Sequence, residues 1–197
     1  RDFSRVTIPL EKFGVKFYYK IKNKLPLAII GSEFPKGIKY LENKGSAQCK
    51  SSVMFAALNS SGTTFIRAKK SRNHSELLFK YLKIPIKIKK TKKYDFINIK
   101  QPKKIMAFNY EIPGDISSSA FFMVLTTLTN NSKLLIKDVN TNPSRTGVIT
   151  ILKKMGAKIL LKNQRNYRGE KISDILIESS NNLKAINCPS ELNSSAI

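Results

Sequence analysis

The chain has 197 residues, 41% of them hydrophobic, with 36 Lys and Arg against 13 Asp and Glu and a formal net charge of +23. This is enough for one large domain or two small ones, and no apolar run is long enough to cross a membrane. A single histidine, His74, and two cysteines without metal-like spacing argue against a metal centre, so Cys49 and Cys188 read as free thiols of a reducing compartment.

No charged-then-apolar leader opens the chain, so nothing indicates secretion. The start at Arg1 and the stop at Ile197, just after a strand-like stretch, read as an internal part of a longer protein. Val6, Leu10 and Phe13 predict the end of a helix closed by Gly14. Strands follow over 15–21 and 25–30, separated by a turn at 22–24, and a short strand over 38–41 leads to Gly45.

The stretch Gly45–Leu58, G-S-A-Q-C-K-S-S-V-M-F-A-A-L, is the one the other elements are arranged around. Val53 to Leu58 leave no polar face, which predicts a buried helix over about 49–59. Its start carries Ser46, Gln48 and Lys50, where unpaired backbone N–H groups and the positive dipole end suit an anion. Two readings stand on this stretch alone, a Ser N-cap on a core helix or a site for an anionic small ligand.

A strand over 63–67 comes next, then a helix from Asn73 to Leu82, with Asn73 and Glu76 at capping-box spacing. Strands over 84–89 and 94–99 form a hairpin around Thr91-Lys92-Lys93. Lysines outnumber arginines 29 to 7 and crowd this region, but Ile84, Ile86 and Ile88 alternate with them as in a half-buried strand. No aromatic interleaving accompanies the lysine run, so it reads as a solvated face; a basic nucleic-acid-binding module is the rival, supported by charge alone. Met106, Phe108, Tyr110 and Ile112 alternate as one more strand. After Pro113-Gly114 the order recurs, with a buried helix over 117–128, a strand over 133–138, a helix over 144–155 and strands over 157–161 and 173–178. The helix exits F-G-V-K, L-K-I-P and M-G-A-K at 13–16, 82–85 and 155–158 mark one partial and two nearly complete copies of a helix–strand–helix–strand–strand unit.

Four segments in order resemble those of the 3-phosphoshikimate 1-carboxyvinyltransferase (EPSP synthase) family. S-A-Q-C-K-S at 46–51 is similar to its S-A-Q-x-K-S, and S-R-N-H-S-E at 71–76 to S/T-R-D-H-T-E. I-P-G-D-I-S-S-S-A-F-F at 112–122 resembles V-P-G-D-x-S-S-A-A-F, and 142–157 resembles N-x-x-R-x-G-x-x-x-x-L-x-x-M-G-A. The resemblance implies an α/β (α+β) fold, a two-domain inside-out α/β barrel of repeated β-α-β-α-β-β units, here truncated at both ends. The chain of that family crosses between domains at P-G-D, so residues 1–112 would finish the first domain and 113–197 begin the second.

The resemblance also implies enolpyruvyl transfer from phosphoenolpyruvate to the 5-hydroxyl of shikimate 3-phosphate, with no cofactor and no metal. Ser46, Ala47, Gln48, Ser71 and Arg72 match the shikimate 3-phosphate positions, and Gln48 also reaches phosphoenolpyruvate. Arg72 has an alternative role as a surface arginine at a helix start. Arg1 matches the phosphoenolpyruvate-binding arginine of R-P-M-G-R, although R-D-F-S-R lacks the Pro and Gly, and Arg5 competes for that place. Lys50 reads as neutralising local charge, Asp115 as a helix cap and Arg145 as structural. No catalytic residue is expected within the chain: C-P-S-E-L-N-S-S-A-I resembles the run-up to the family's catalytic Asp, which would follow Ile197. UDP-N-acetylglucosamine enolpyruvyl transferase is the rival within the fold; S-A-Q together with G-D-I-S-S-S-A-F favours the shikimate enzyme. The expected partners are the two small-molecule substrates, with no specific nucleic acid and no membrane, in a cytoplasmic protein that is monomeric at full length.

Overall fold

The computed structural model describes residues 2–196, which fall into two compact units divided between Ala107 and Phe108. That division lies ahead of the Pro113-Gly114 turn.

In the first unit, helix α1 (Ser4–Glu11) ends in a turn where Gly14 takes a φ of +90°. Strands β1 (Lys16–Tyr19) and β2 (Leu27–Ile30) then pair as an antiparallel ribbon. The complete repeat runs β3 (Lys39–Glu42), α2 (Ala47–Ala56, extended by a 3-10 turn over Ala57–Asn59), β4 (Thr63–Lys69), α3 (His74–Tyr81), β5 (Ile86–Lys90) and β6 (Tyr94–Lys100). These strands form a sheet in the order β3-β4-β6-β5, with β3 parallel to β4 and the other pairs antiparallel. A parallel pair needs a crossover, and α2 supplies it. Strict alternation sets the inner face: Thr64, Ile66 and Ala68 of β4 and Asp95, Ile97 and Ile99 of β6 are buried. Ile66, Ala68, Ile97 and Ile99 pack with Val53, Met54 and Ala57 of the α2 segment and with Phe79 of α3.

The second unit repeats the order with α4 (Ile116–Leu128), β7 (Lys133–Asn140), α5 (Gly147–Lys154), β8 (Lys158–Tyr167) and β9 (Glu170–Glu178). Its sheet order is β7-β9-β8. The place of β3 is taken by a parallel bridge between Gly114 and Val139, in which Gly114 donates to the Asp138 carbonyl and Asn140 donates to that of Gly114. Ile116, Met123, Val139, Ile149, Ile159, Ile175 and Ile177 form the core.

Three expectations are corrected. Residues 106–112 form no strand, because no strand among the described residues lies alongside to complete a hydrogen-bond ladder; instead, Tyr110 packs on Tyr167 and the Glu111 amide donates to the Tyr167 hydroxyl. The expected capping box does not form either: Asn73 gives no side-chain cap, and Glu76 is drawn instead to Lys50. Finally, the two central helices are buried on one side rather than all round. Phe55 of α2 is half exposed, and α4 presents Phe121 (79% exposed), Phe122, Leu125 and Leu128 to solvent, because the sheet of its unit covers only the Ile116–Met123 side.

The start of α4 shows why its sequence begins with Asp115. The carboxylate accepts from the Ser118 amide and hydroxyl, both at 3.1 Å, and pairs with Arg145 at 3.1 Å; Arg145 also donates to the Ser117 hydroxyl. Burial pushes the Asp115 carboxyl up, but the Ser117 and Ser118 amides, the Ser118 hydroxyl and the Arg145 guanidinium outweigh it and hold its pKa below the ordinary value. A depressed folded-state pKa stabilises the fold above the unfolded value, ~3.9, and that stabilisation is lost as pH falls through the lower folded value. Asp115→Asn keeps a good N-cap and is expected to flatten the loss of stability on acidification below pH ~4, read from urea unfolding across that range. In the first unit, Ile97→Ala is expected to cost about 2–5 kcal/mol in the same assay, whereas Phe34→Ala, at an 82% exposed position, should stay within about 0.5 kcal/mol.

Candidate functional site

Strands β3 and β4 are parallel and in register, Glu42 lying opposite Ala68. Their C-terminal ends therefore release two segments side by side, 43–46 leading into α2 and 70–73 leading into α3. The carboxyl ends of parallel strands are where α/β sheets hold ligands. Here both helix starts open there.

The first segment is held from below by Glu42. Its carboxylate is buried and accepts from the Lys44 amide at 2.9 Å and the Gly45 amide at 2.8 Å. Gly45 has a φ of +69°, which favours glycine, and a Cβ there would stand a tight 3.2 Å from the Lys70 carbonyl oxygen. Ser46 is the N-cap of α2, its Oγ accepting from the Cys49 amide at 3.3 Å. Ala47 and Gln48 form the first turn, Ala47 half-buried and Gln48 exposed.

The second segment carries Ser71 and Arg72, both half-buried. The Ser71 Oγ is closed off from solvent and has no hydrogen-bond partner. The two segments are joined by Lys50, whose residue is 0% exposed. Its Nζ donates to the Arg72 carbonyl at 2.7 Å and pairs with Glu76 Oε1 at 2.6 Å. Ser51 and Ser75, next to Lys50 and Glu76 in sequence, add a hydroxyl–hydroxyl bond of 2.6 Å. Ser46, Ala47, Gln48, Ser71 and Arg72 thus belong to one end of one sheet. Arg1 lies outside the described residues. Arg5, its competitor, lines a cavity of about 290 Å³ with Tyr40, Lys44 and Cys49; burial pushes the Tyr40 hydroxyl up to about 12.

Hydroxyl, amide and guanidinium donors around the positive end of a helix can hold a phosphate or carboxylate. No cluster of His, Cys, Asp and Glu suited to a metal ion occurs among the described residues, and no helix there is long and apolar enough to cross a membrane. Sequence reasoning missed Glu42 as a support of this arrangement, and it read Lys50, which it did single out, as neutralising local charge rather than as a tie between segments. Glu42 gives no signal beyond lying three residues before a glycine. Lys50 does give one, as a charged side chain in the first turns of a helix with no other polar demand on its buried side. Gly45→Ala is expected to cost about 1–2 kcal/mol from the left-handed backbone alone, measured by chemical unfolding, and to disturb the 70–73 segment that its Cβ would press on.

Comparison with known proteins agrees with this layout. Residues 1–190 match the family model described as EPSP synthase (3-phosphoshikimate 1-carboxyvinyltransferase). A 3-phosphoshikimate 1-carboxyvinyltransferase from Thermoanaerobacter sp. (strain X514) is 40% identical over 181 residues, 91% of this chain and 42% of the relative. One from Bacillus subtilis (strain 168) is 37% identical over 188 residues, 94% of this chain and 42% of the relative. An EPSP synthase structure from Acinetobacter baumannii superposes with a TM-score of 0.80 at 34% identity, covering 98% of this chain and 43% of that one. The enolpyruvyl transferase NikO from Streptomyces tendae, at 8% identity and a TM-score of 0.63, shares the fold alone. The chain spans less than half the length of the relatives it matches, 42% for the first of them. Across the part it spans, the motifs, the repeated unit and the paired helix starts make the chain a member of the EPSP synthase family.

Proposed function

We propose that this chain contributes part of an enzyme that transfers the enolpyruvyl group of phosphoenolpyruvate to the 5-hydroxyl of shikimate 3-phosphate, releasing phosphate, in the cytoplasm. The observation that carries this reading is the pairing of the Ser46-capped start of α2 with the Ser71–Arg72 segment at the carboxyl ends of β3 and β4. Both substrates are anions, and this is where donors of the required type converge.

In this reading the N-terminus of α2 and the Ser46, Gln48 and Arg72 side chains hold shikimate 3-phosphate, with Ala47 offering backbone at the same turn. Ser71 joins them after a χ1 rotation that turns its inward hydroxyl to the ligand. Gln48, exposed on the first turn, bridges to phosphoenolpyruvate, and Arg1 supplies a further cation to that substrate. Residues 1–112 belong to the end of the first family domain and 113–197 to the beginning of the second. The acid and base that move protons at the reacting carbons come from parts of the relatives' length that this chain does not span, as does the opposing face that would exclude water. The whole protein acts as a monomer on its two small-molecule substrates.

The assay is phosphate release that depends on both substrates. The chain alone is expected to release none. Carried within the remaining segments of a full-length relative, it is expected to turn over. In that setting Arg72→Ala should weaken shikimate 3-phosphate by about 1.5–3 kcal/mol, the range of a charge-assisted hydrogen bond, with little change for phosphoenolpyruvate. Gln48→Ala should weaken both. Turnover by the chain alone would refute the shared-site reading, and normal shikimate 3-phosphate affinity in Arg72→Ala would remove Arg72 from the site.

A further inference from the structure

We propose that Lys50 is a positioning residue: its buried ammonium fixes the backbone of Arg72 for anion recognition, and Glu76 holds the ammonium in place. The inference rests on the site reading above.

Three observations carry it. First, Lys50 is one of the most buried side chains in the first unit, 1% exposed, beside a Glu76 side chain that is 5% exposed. Second, its shortest contacts run to the two parts of the next segment that matter. One goes to the main chain of Arg72, at 2.7 Å, and the other to the first turn of α3, at 2.6 Å. A lysine head has three donors and no acceptor, so the carbonyl contact is a one-way tether from α2 to the residue whose side chain is to meet the ligand. Third, the pair is poorly arranged for stability. Glu76 Oε2 is buried without a hydrogen-bond partner, and removing two charges from water is repaid only when every lone pair is satisfied. An apolar pair of similar volume would hold α2 against α3 at least as well. What it would not do is hold the Arg72 carbonyl.

The consequence for binding is geometric. Arg72 recognises a phosphate by directed hydrogen bonds, so the position of its Cα sets how much of the ligand's binding is lost to ordering the loop. With the carbonyl tied to a rigid helix, that ordering is already present in the free protein. Gln48, two residues before Lys50 on the same helix, then keeps a constant separation from Arg72.

The test uses the chain carried within the remaining segments of a full-length relative, with shikimate 3-phosphate as probe and affinity followed by NMR titration. Backbone order at Arg72 is read by relaxation in the same samples. Lys50→Met alone leaves a buried carboxylate unpaired, so the informative variant combines Lys50→Met with Glu76→Met. It is expected to unfold at close to the parent's midpoint, to lose backbone order at Arg72 from ~0.85 towards ~0.6, and to bind the probe about tenfold or more weakly. A double variant that is folded and binds like the parent overturns the positioning role while leaving the site reading intact. So does one that binds weakly with Arg72 still ordered, or one that no longer folds, since the pair would then act on stability. A parent that does not bind the probe, or an Arg72→Ala variant that binds as the parent does, overturns the site reading and the positioning role together.

Discussion

A charged lysine head shut away from water must find its partners inside the protein, because the effective desolvation penalty is several kcal/mol per ion. Lys50 is in that position, and its partners lie on a different segment from its own helix. Helix α2, the loop after β4 and the start of α3 therefore form as one arrangement. The rest of the first unit provides the conditions for it. Parallel pairing of β3 with β4 delivers the two segments to the same end of the sheet, and Gly45 lets them approach. The Glu42 carboxylate then ties down the turn between strand and helix.

The second unit meets the same geometric demand with different chemistry. There the first helix starts at Asp115, and the segment before the second helix carries Arg145, 9% exposed. The guanidinium reaches back to the Asp115 carboxylate and the Ser117 hydroxyl. In the first unit the cation is on the first helix and reaches forward; in the second it precedes the second helix and reaches back. The polar residues around this link are also paired among themselves, Asn142 with Glu170 and Thr141 with Ser173. Repetition of the fold thus preserves a tie between helix starts rather than a particular residue pair. The chemistry of the tie differs: Lys50 donates to a backbone carbonyl of the following segment, whereas Arg145 uses its own guanidinium.

Most of the fold was legible because the repeat carries its punctuation with it. Gly14, Lys83 and Gly156 all take positive φ at the helix exits, which is the physical content of the aligned F-G-V-K, L-K-I-P and M-G-A-K segments. The strands of the first sheet were legible from alternation, since Ile86, Ile88, Ile97 and Ile99 do face one side. The same alternation misled at 106–112, where periodicity describes how a strand would be buried but says nothing about whether another strand is present to pair with it. The candidate site was legible as motifs and opaque as a mechanism. S-A-Q and S-R mark two segments, but only the parallel register brings them to one place. Glu76 shows the limit most clearly: its spacing from Asn73 suits a capping box, yet a buried ammonium across the gap attracts a carboxylate more strongly than an orphan amide does.

The +23 charge acts at two ranges, and the structure separates them. On the outer face of the first sheet, β5 exposes Lys87, Lys89 and Lys90, and cross-strand pairing places aromatic rings among the cations that a scan along the chain does not reveal. Arg67, for example, stacks over Tyr94 at 4.3 Å and is opposite Phe96 in register. Such exposed charges attract anions over roughly a Debye length, about 8 Å at physiological salt, and their effect falls as salt rises. They raise the local concentration of any anionic ligand without selecting one. Lys50 is the opposite case. Its charge is neutralised by Glu76 and hidden from solvent, so it attracts nothing from a distance and is barely screened. Its contribution is the fixed position of one carbonyl group. The exposed lysines account for attraction to anions in general, whereas buried Lys50 fixes one backbone carbonyl between the starts of α2 and α3.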